Sequence, residues 1–82
     1  MNYHPAISAE QFDILKSLKS GDVVSLKHPR NKNFGTKELV HKVEDDGIVH
    51  NIHTTHLQRK VNYVHWINPY HPTDPQIEIK KH

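Results

Sequence analysis

The chain of 82 residues contains no cysteine. This absence excludes disulfide frameworks, cysteine nucleophiles and the zinc motifs that combine cysteine with histidine at fixed spacing. The chain also lacks any run of about 18 apolar residues, so the sequence predicts no transmembrane helix and no membrane partner. Residues 1–5 lack the charged and apolar regions of a signal peptide, and we therefore expect a cytoplasmic protein.

Glycine is scarce, with three residues in the whole chain, so no glycine-rich loop is available to hold a phosphate. A chain of this length forms at most a single domain, here 1–82, and 34% hydrophobic residues can build one small core. Little room remains for a deep substrate cleft. We therefore expect a non-enzymatic binding module without a cofactor, and homo-oligomerisation as one way to bury more surface.

Acidic residues are missing from two long segments, Val23 to Lys37 and Gly47 to Thr73, although the formal net charge is only +2. Both segments interleave Lys and Arg with aromatic or histidine side chains, a pattern that suits phosphate contact and base stacking. The sequence therefore predicts a surface that binds RNA or DNA. Its candidate residues are Lys27, Arg30, Lys32, Phe34, Lys37, Arg59, Lys60, Tyr63 and His65.

Two other partners or activities fit the same composition. An acidic protein surface would also be bound by these cations, and the alternative function is therefore a protein-binding adaptor or inhibitor of the phage or plasmid accessory type. Histidine, tyrosine and lysine are also abundant enough for a metal-free ribonuclease. The argument against an enzyme is that no acid between Gly47 and Thr73 could orient a histidine there.

The hydrophobic pattern changes from a helical period to an alternating one near Gly21. Ser8 as N-cap and Gln11 as its capping-box partner predict a helix over about 9–19, which Gly21 would end. Period-two alternation and a turn at 45–47 then predict strands. The predicted strands are Val23–Lys27, Thr36–Asp45, Gly47–Thr54 and Leu57–Ile67. One face of the second strand would carry Leu39, His41 and Val43, and one face of the third would carry Ile48, His50 and Ile52. The fourth strand would be packed on both faces.

These elements predict a mainly β fold with one N-terminal helix, namely a small five-stranded antiparallel barrel over about 22–67. Residues 68–82 form a proline-rich extended segment, with a possible closing strand at 77–79 and a frayed end at 80–82.

Nine histidines raise a third hypothesis, a metal or pH-responsive binder. The spacing His50-x-x-His53-x-x-His56 is similar to a metal motif, but residues three apart on a strand point to opposite faces. His53 and His56 could share an ion only if the chain turned at 54–55. We therefore expect no metal site, with His41, His50, His53 and His56 as the weak candidates.

The hairpin around the predicted turn admits two registers. A loop of 44–47 would pair His41 with His50, whereas a turn at 46–47 would pair Val43 with His50. In either register both histidines face the apolar side. If both are buried and neutral, acid must charge them, and stability should fall below about pH 6.

Two short segments resemble known small β folds. Tyr63-Val64-His65-Trp66-Ile67 is similar to the Tyr-Lys-His-x-Ile segment of the Sm-like bacterial Hfq family, with Pro72 in step and Val64 in place of the lysine. That resemblance implies that Tyr63 and His65 lie near the RNA-contacting rim of a ring oligomer. Leu18 to Leu26 resembles the first strand of SH3-like barrels of the KOW or Tudor type, which bind nucleic acids and proteins. The polar loop Pro29–Gly35 favours the SH3-like alternative.

Overall fold

A computed structural model describes residues 6–71 and 77–82. The described elements are α1 (Ala9–Ser17), β1 (Val23–Lys27), β2 (Glu38–Asp45), β3 (His50–His56), β4 (Asn62–Ile67) and β5 (Glu78–Lys81). The five strands form a single antiparallel sheet in the order β4-β3-β2-β1-β5. The expected mainly β, antiparallel fold with one N-terminal helix is therefore confirmed. The sheet is not closed among the described residues, because β4 and β5 lie at its two edges. No helix in this part of the chain is long and apolar enough to cross a membrane.

Helix α1 begins where the sequence predicts. The Ser8 hydroxyl accepts a hydrogen bond from the backbone N–H of Gln11 at 3.1 Å, which satisfies one of the free amides of the first turn. The helix ends at Ser17 because Leu18 adopts an extended backbone and turns into the core. Gly21 has a φ of +97°, but it lies in the turn that leads into β1 rather than at the helix end.

The core lies between α1 and one face of the sheet, which we call the inner face. Its buried apolar side chains come from the helix and from all five strands: Leu15, Leu18, Val24, Leu26, Val40, Ile52, Ile67 and Ile79. Burial of these side chains away from water is the main stabilising term for a sheet of this size.

Strand β2 departs from simple alternation. Its register against β3 shifts between Val40 and Lys42, which places a β-bulge at His41. The bulge changes which residues face inward, since Glu38 and Val40 are buried while His41 is exposed. The predicted face of Leu39, His41 and Val43 is therefore wrong, because one extra residue breaks the period of two.

The β2–β3 hairpin has a register that neither sequence alternative includes. Asp45 pairs with His50 and Val43 with Ile52, so the loop consists of residues 46–49. Gly47 has a φ of +95°, as the predicted turn requires. His41 has no partner in this ladder, whereas His50 is 4% exposed on the inner face as predicted.

Strand β4 is packed on one face only. Val64 is 60% exposed and Trp66 is 51% exposed, so the prediction of a strand packed on both faces is wrong. Residues 57–60 form a turn rather than the start of this strand. We call the side of the sheet that carries Val64 and Trp66 the outer face.

The end of the chain is also more ordered than predicted. Residues 78–81 pair with β1, and the backbone N–H of His82 donates to the carbonyl of Val23 at 2.9 Å, so 80–82 are not frayed. The predicted closing strand at 77–79 thus lies at 78–81. Pro72 and the rest of 72–76 lie outside the described residues.

Candidate functional site

The inner face changes from apolar to polar along the strands. On β3, Ile52 is fully buried in the core, whereas Thr54 and His56 continue the same face as buried polar residues. Beyond the core this polar end borders a cleft of about 640 Å³. The lining comes from the start of β2, the end of β3, β4, the loop 28–37 and the turn 57–60: His28, Asn31, Gly35, Thr36, Glu38, His56, Gln58, Arg59, Tyr63, Val64 and His65.

Glu38 provides the one carboxylate among these lining residues. Its side chain is 10% exposed, and its Oε1 atom accepts hydrogen bonds from the Thr54 hydroxyl at 2.6 Å and from His65 Nε2 at 2.8 Å. The contact with His65 reaches from β2 to β4 across the intervening strand β3. Glu38 is therefore a buried carboxylate whose hydrogen-bond donors come from β3 and β4. A carboxylate that is buried needs such partners.

His65 has two different ring nitrogens in this arrangement. Nε2 donates to Glu38, so the neutral ring carries its proton there and Nδ1 is an acceptor. In the described part of the chain, the only buried side-chain nitrogen or oxygen without a partner is His50 Nδ1. Nδ1 of His65 is not such an atom, and the residue lines the cleft.

Two further rings lie beside His65. The centroid of the His28 ring is 5.5 Å away with an interplanar angle of 47°, and the centroid of the Tyr63 ring is 5.8 Å away at 34°. His28 is exposed and Tyr63 is half-buried, so both rings border the open part of the cleft. A ligand that reaches Nδ1 of His65 therefore meets a second imidazole and a phenol.

His56 has a structural role at the rim of the cleft. Its Nδ1 accepts the backbone N–H of Arg59 at 3.0 Å, and its Nε2 is bonded to the Thr36 hydroxyl. Both nitrogens are occupied within the protein. The ring therefore fixes the turn that carries Arg59 and ties it to the loop 28–37, in a turn where Lys60 adopts a φ of +59°.

The predicted nucleic-acid-binding residues fall into three groups. Arg59, Tyr63 and His65 line the cleft. Exposed positions next to it, in the loop 28–37 and the turn 57–60, hold Arg30, Lys32, Phe34, Lys37 and Lys60. Lys27 is half-buried and its ammonium lies 3.7 Å from the Glu78 carboxylate, so it belongs to the β1–β5 pair rather than to the cleft.

The four weak metal candidates are divided between the two faces of the sheet. His50 and His56 are buried on the inner face. His41 is exposed and bonds the Thr55 hydroxyl, while His53 bonds the Glu44 carboxylate. Strand β3 is continuous from 50 to 56, so the chain does not turn at 54–55. Across residues 6–71 and 77–82, no three His, Cys, Asp or Glu side chains lie together as metal ligands would.

The contact between His53 and Glu44 has an electrostatic consequence on the outer face. The hydrogen bond from His53, together with the charge of Lys42, lowers the pKa of the Glu44 carboxyl below its usual value. This carboxylate is exposed and far from the cleft in the sheet register. It therefore supports the β2–β3 pair and takes no part in the candidate site.

Sequence reasoning missed His28, Glu38 and His56 as members of one site. No acid lies between Gly47 and Thr73, but the acid that contacts His65 comes from β2, outside that segment. The available signal was Glu38, an acid at the start of a strand that shares the inward face with Val40. The bulge at His41 hides this signal, because simple alternation back from Val43 puts Glu38 and Val40 on the opposite face.

No protein-family model, curated protein or solved structure matches this chain.

Proposed function

We propose that this chain is a small nucleic-acid-binding module whose cleft takes the phosphate backbone and an unpaired base of a single strand. The lining of the cleft carries the proposal. It contains three histidines and Arg59 against a single carboxylate, Glu38, which is already engaged by Thr54 and His65. A site of this composition attracts an anion and provides rings on which a base can stack.

The surroundings of the cleft support the same polarity. The exposed loop 28–37 lines part of the cleft, and the same loop carries Arg30, Lys32 and Lys37 without any acid. Phosphate contacts from such side chains supply most of the affinity of non-specific binding. Tyr63 lines the cleft, where its half-buried ring could stack on a base whose phosphate meets Arg59.

The finer fold class belongs to the same proposal. A helix followed by five antiparallel strands in one sheet is the element order that the SH3-like and Sm-like resemblances imply. We propose that the chain is an open form of such a barrel, in which β4 and β5 stay apart and leave the polar end of the inner face accessible. Ring or dimer formation stays a prediction.

Salt dependence of binding tests the proposal. We expect labelled single-stranded DNA and its 2′-O-methyl RNA counterpart to bind, with an affinity that falls steeply as KCl rises, because phosphate contacts release counterions. Fluorescence anisotropy at several salt concentrations measures the slope of log K against log salt. Arg59→Ala should weaken binding and reduce that slope by about 1, the value for one lost phosphate contact.

Lys42→Ala is the matched control, since Lys42 is an exposed cation on the outer face. It should leave the affinity and slope close to those of the parent chain. Equal losses of affinity in both variants would show that the cleft is not the binding site. If neither oligonucleotide binds at low salt, nucleic-acid binding is wrong, and the acidic-protein alternative becomes the one to pursue.

A further inference from the structure

We propose that the cleft cleaves single-stranded RNA, with His65 as general base and His28 as general acid. This inference rests on the nucleic-acid binding proposed above and adds a reaction to it. The observation that carries it is the juxtaposition of two imidazoles, 5.5 Å apart between ring centroids, one of which is held by a buried carboxylate. Imidazoles are the side chains best suited to proton transfer near neutral pH.

His65 has the environment of an oriented base. Glu38 holds the Nε2–H at 2.8 Å, so the neutral ring carries its lone pair on Nδ1, and the residue lines the cleft. When Nδ1 takes a proton, the imidazolium is stabilised by the same carboxylate. Thr54 holds the carboxylate in turn, at 2.6 Å, so the acid, the ring and the strand between them form one fixed unit. Glu38 acts through His65 and is a positioning residue.

His28 has the environment of an acid that can exchange protons with solvent. It is exposed directly after β1, it lines the cleft, and its ring lies beside that of His65. His56 cannot take this role, because both of its nitrogens are bonded within the protein. Arg59 lies at the same cleft, where its guanidinium can neutralise charge that develops on a phosphate.

Two proton-transfer groups are sufficient when the substrate supplies its own nucleophile. RNA does so through the 2′-hydroxyl next to each phosphodiester. His65 Nδ1 takes the proton of that hydroxyl, and the 2′-oxygen forms a bond to phosphorus. The bond from phosphorus to the 5′-oxygen breaks, and His28 gives that oxygen a proton. The products are a 2′,3′-cyclic phosphate and a 5′-hydroxyl end, with no water, oxidant or reductant consumed.

A purely structural role for the Glu38–His65 pair is the competing explanation. Both side chains are buried, and removal of one partner leaves the other unsatisfied, so variants of this pair can lose activity by unfolding. His28 avoids this problem because it is exposed and its side chain can be removed without opening the core. His28→Ala is therefore the decisive variant.

The experiment follows a labelled single-stranded RNA in the presence of the purified chain, and mass spectrometry identifies the ends of any fragments. We expect cleavage with cyclic-phosphate and 5′-hydroxyl ends. His28→Ala should lower the rate at least about 100-fold, the usual contribution of a general acid. His41→Ala, which removes an exposed histidine from the outer face, is the matched control and should cleave as the parent does. Identical purification of the variants guards against a contaminating nuclease.

The pH dependence separates positioning from folding. Two imidazoles in opposite protonation states predict a bell-shaped profile for the parent chain. Glu38→Gln should alter the shape of this profile, because His65 loses the carboxylate that holds its Nε2–H. A variant that was only less folded would lose rate at every pH and keep the shape of the profile.

Binding of the 2′-O-methyl RNA, which cannot be cleaved, distinguishes the two proposals. If that strand binds while RNA stays intact, or if His28→Ala cleaves as fast as the parent, RNA cleavage is wrong and the binding function stands. Fragments with 5′-phosphate ends also contradict the inference, since the 5′-oxygen would then not be the leaving group. If neither strand binds and RNA stays intact, both proposals fail.

Discussion

Asp46 stabilises the loop between β2 and β3 through its carboxylate. Its Oδ1 atom accepts the backbone N–H groups of Ile48 at 2.9 Å and Val49 at 2.7 Å. These two hydrogen bonds lower the pKa of Asp46 below its usual value, with that from Val49 contributing most. The carboxyl therefore binds its proton more weakly in the folded chain than in the unfolded one.

The sign of the pH effect follows from this direction. A lowered pKa contributes stability above the unfolded-state value, and that stability is lost as the pH falls through the folded-state pKa. We expect Asp46→Asn to be less stable than the parent at pH 7, because a neutral amide accepts these bonds more weakly. The two chains should converge in strong acid. Urea unfolding at several pH values measures the difference, and a difference that stays constant from neutral to acid pH would contradict the assignment.

The histidines show that one residue type does not imply one purpose. His50 is 4% exposed and its Nδ1 has no partner among the described residues, while His41 projects from the bulge into solvent. His56 closes a turn and His65 meets a buried acid. Of the two histidines that the sequence predicts to be buried together, His50 is buried and His41 is exposed.

Among the elements, those with regular periodicity were the predictable ones. The helix cap at Ser8, strand β1 and the inward face of β3 follow directly from spacing. For β2, the spacing predicts the wrong inward-facing residues, because a bulge adds one residue without any local sequence signal. The Glu38–His65 contact was not predictable either, since it joins residues 27 apart in sequence across an intervening strand.

Gln11 joins the helix to an edge of the sheet instead of completing a capping box. Its side-chain amide donates to the carbonyl of Ile79 at 3.0 Å and its Oε1 accepts the N–H of Ile79 at 2.7 Å. This is the pair of bonds that a neighbouring strand would make. The amide therefore covers part of the free edge of β5, where unpaired backbone groups would otherwise be open to another chain.

We expect Gln11→Ala to lower the free energy of unfolding by about 1–3 kcal/mol, because two partly buried backbone groups lose their partners. Hydrogen exchange should accelerate first at the amide of Ile79. Glu10→Ala is the matched control, since Glu10 is an exposed neighbour on the same helix, and it should change stability by less than about 0.5 kcal/mol. Equal effects of the two substitutions would show that Gln11 does not hold the edge.

At the scale of the whole molecule, the sheet separates two faces of different character. The inner face holds the core at one end and the polar cleft at the other, while the outer face carries Val64 and Trp66 in solvent. Alternation along β4 produces this arrangement, because Tyr63 and His65 point inward and Val64 and Trp66 point outward. The sequence predicted that alternation correctly. It did not predict that the outer side is uncovered, because the position of β4 at an edge depends on long-range pairing.

The single tryptophan reports which face binds a ligand. Trp66 is 51% exposed on the outer face, so a strand bound in the cleft should leave its fluorescence unchanged. In a Trp66→Phe background, Tyr63→Trp places the reporter on the inner side of the same strand, where a bound base should quench it by stacking. Titration of both chains with 2′-O-methyl RNA gives the comparison. Quenching of Trp66 in the parent, without a response from the reporter at position 63, would move binding to the outer face. A ligand bound there would not reach the pair His28 and His65, because the sheet lies between the outer face and the cleft.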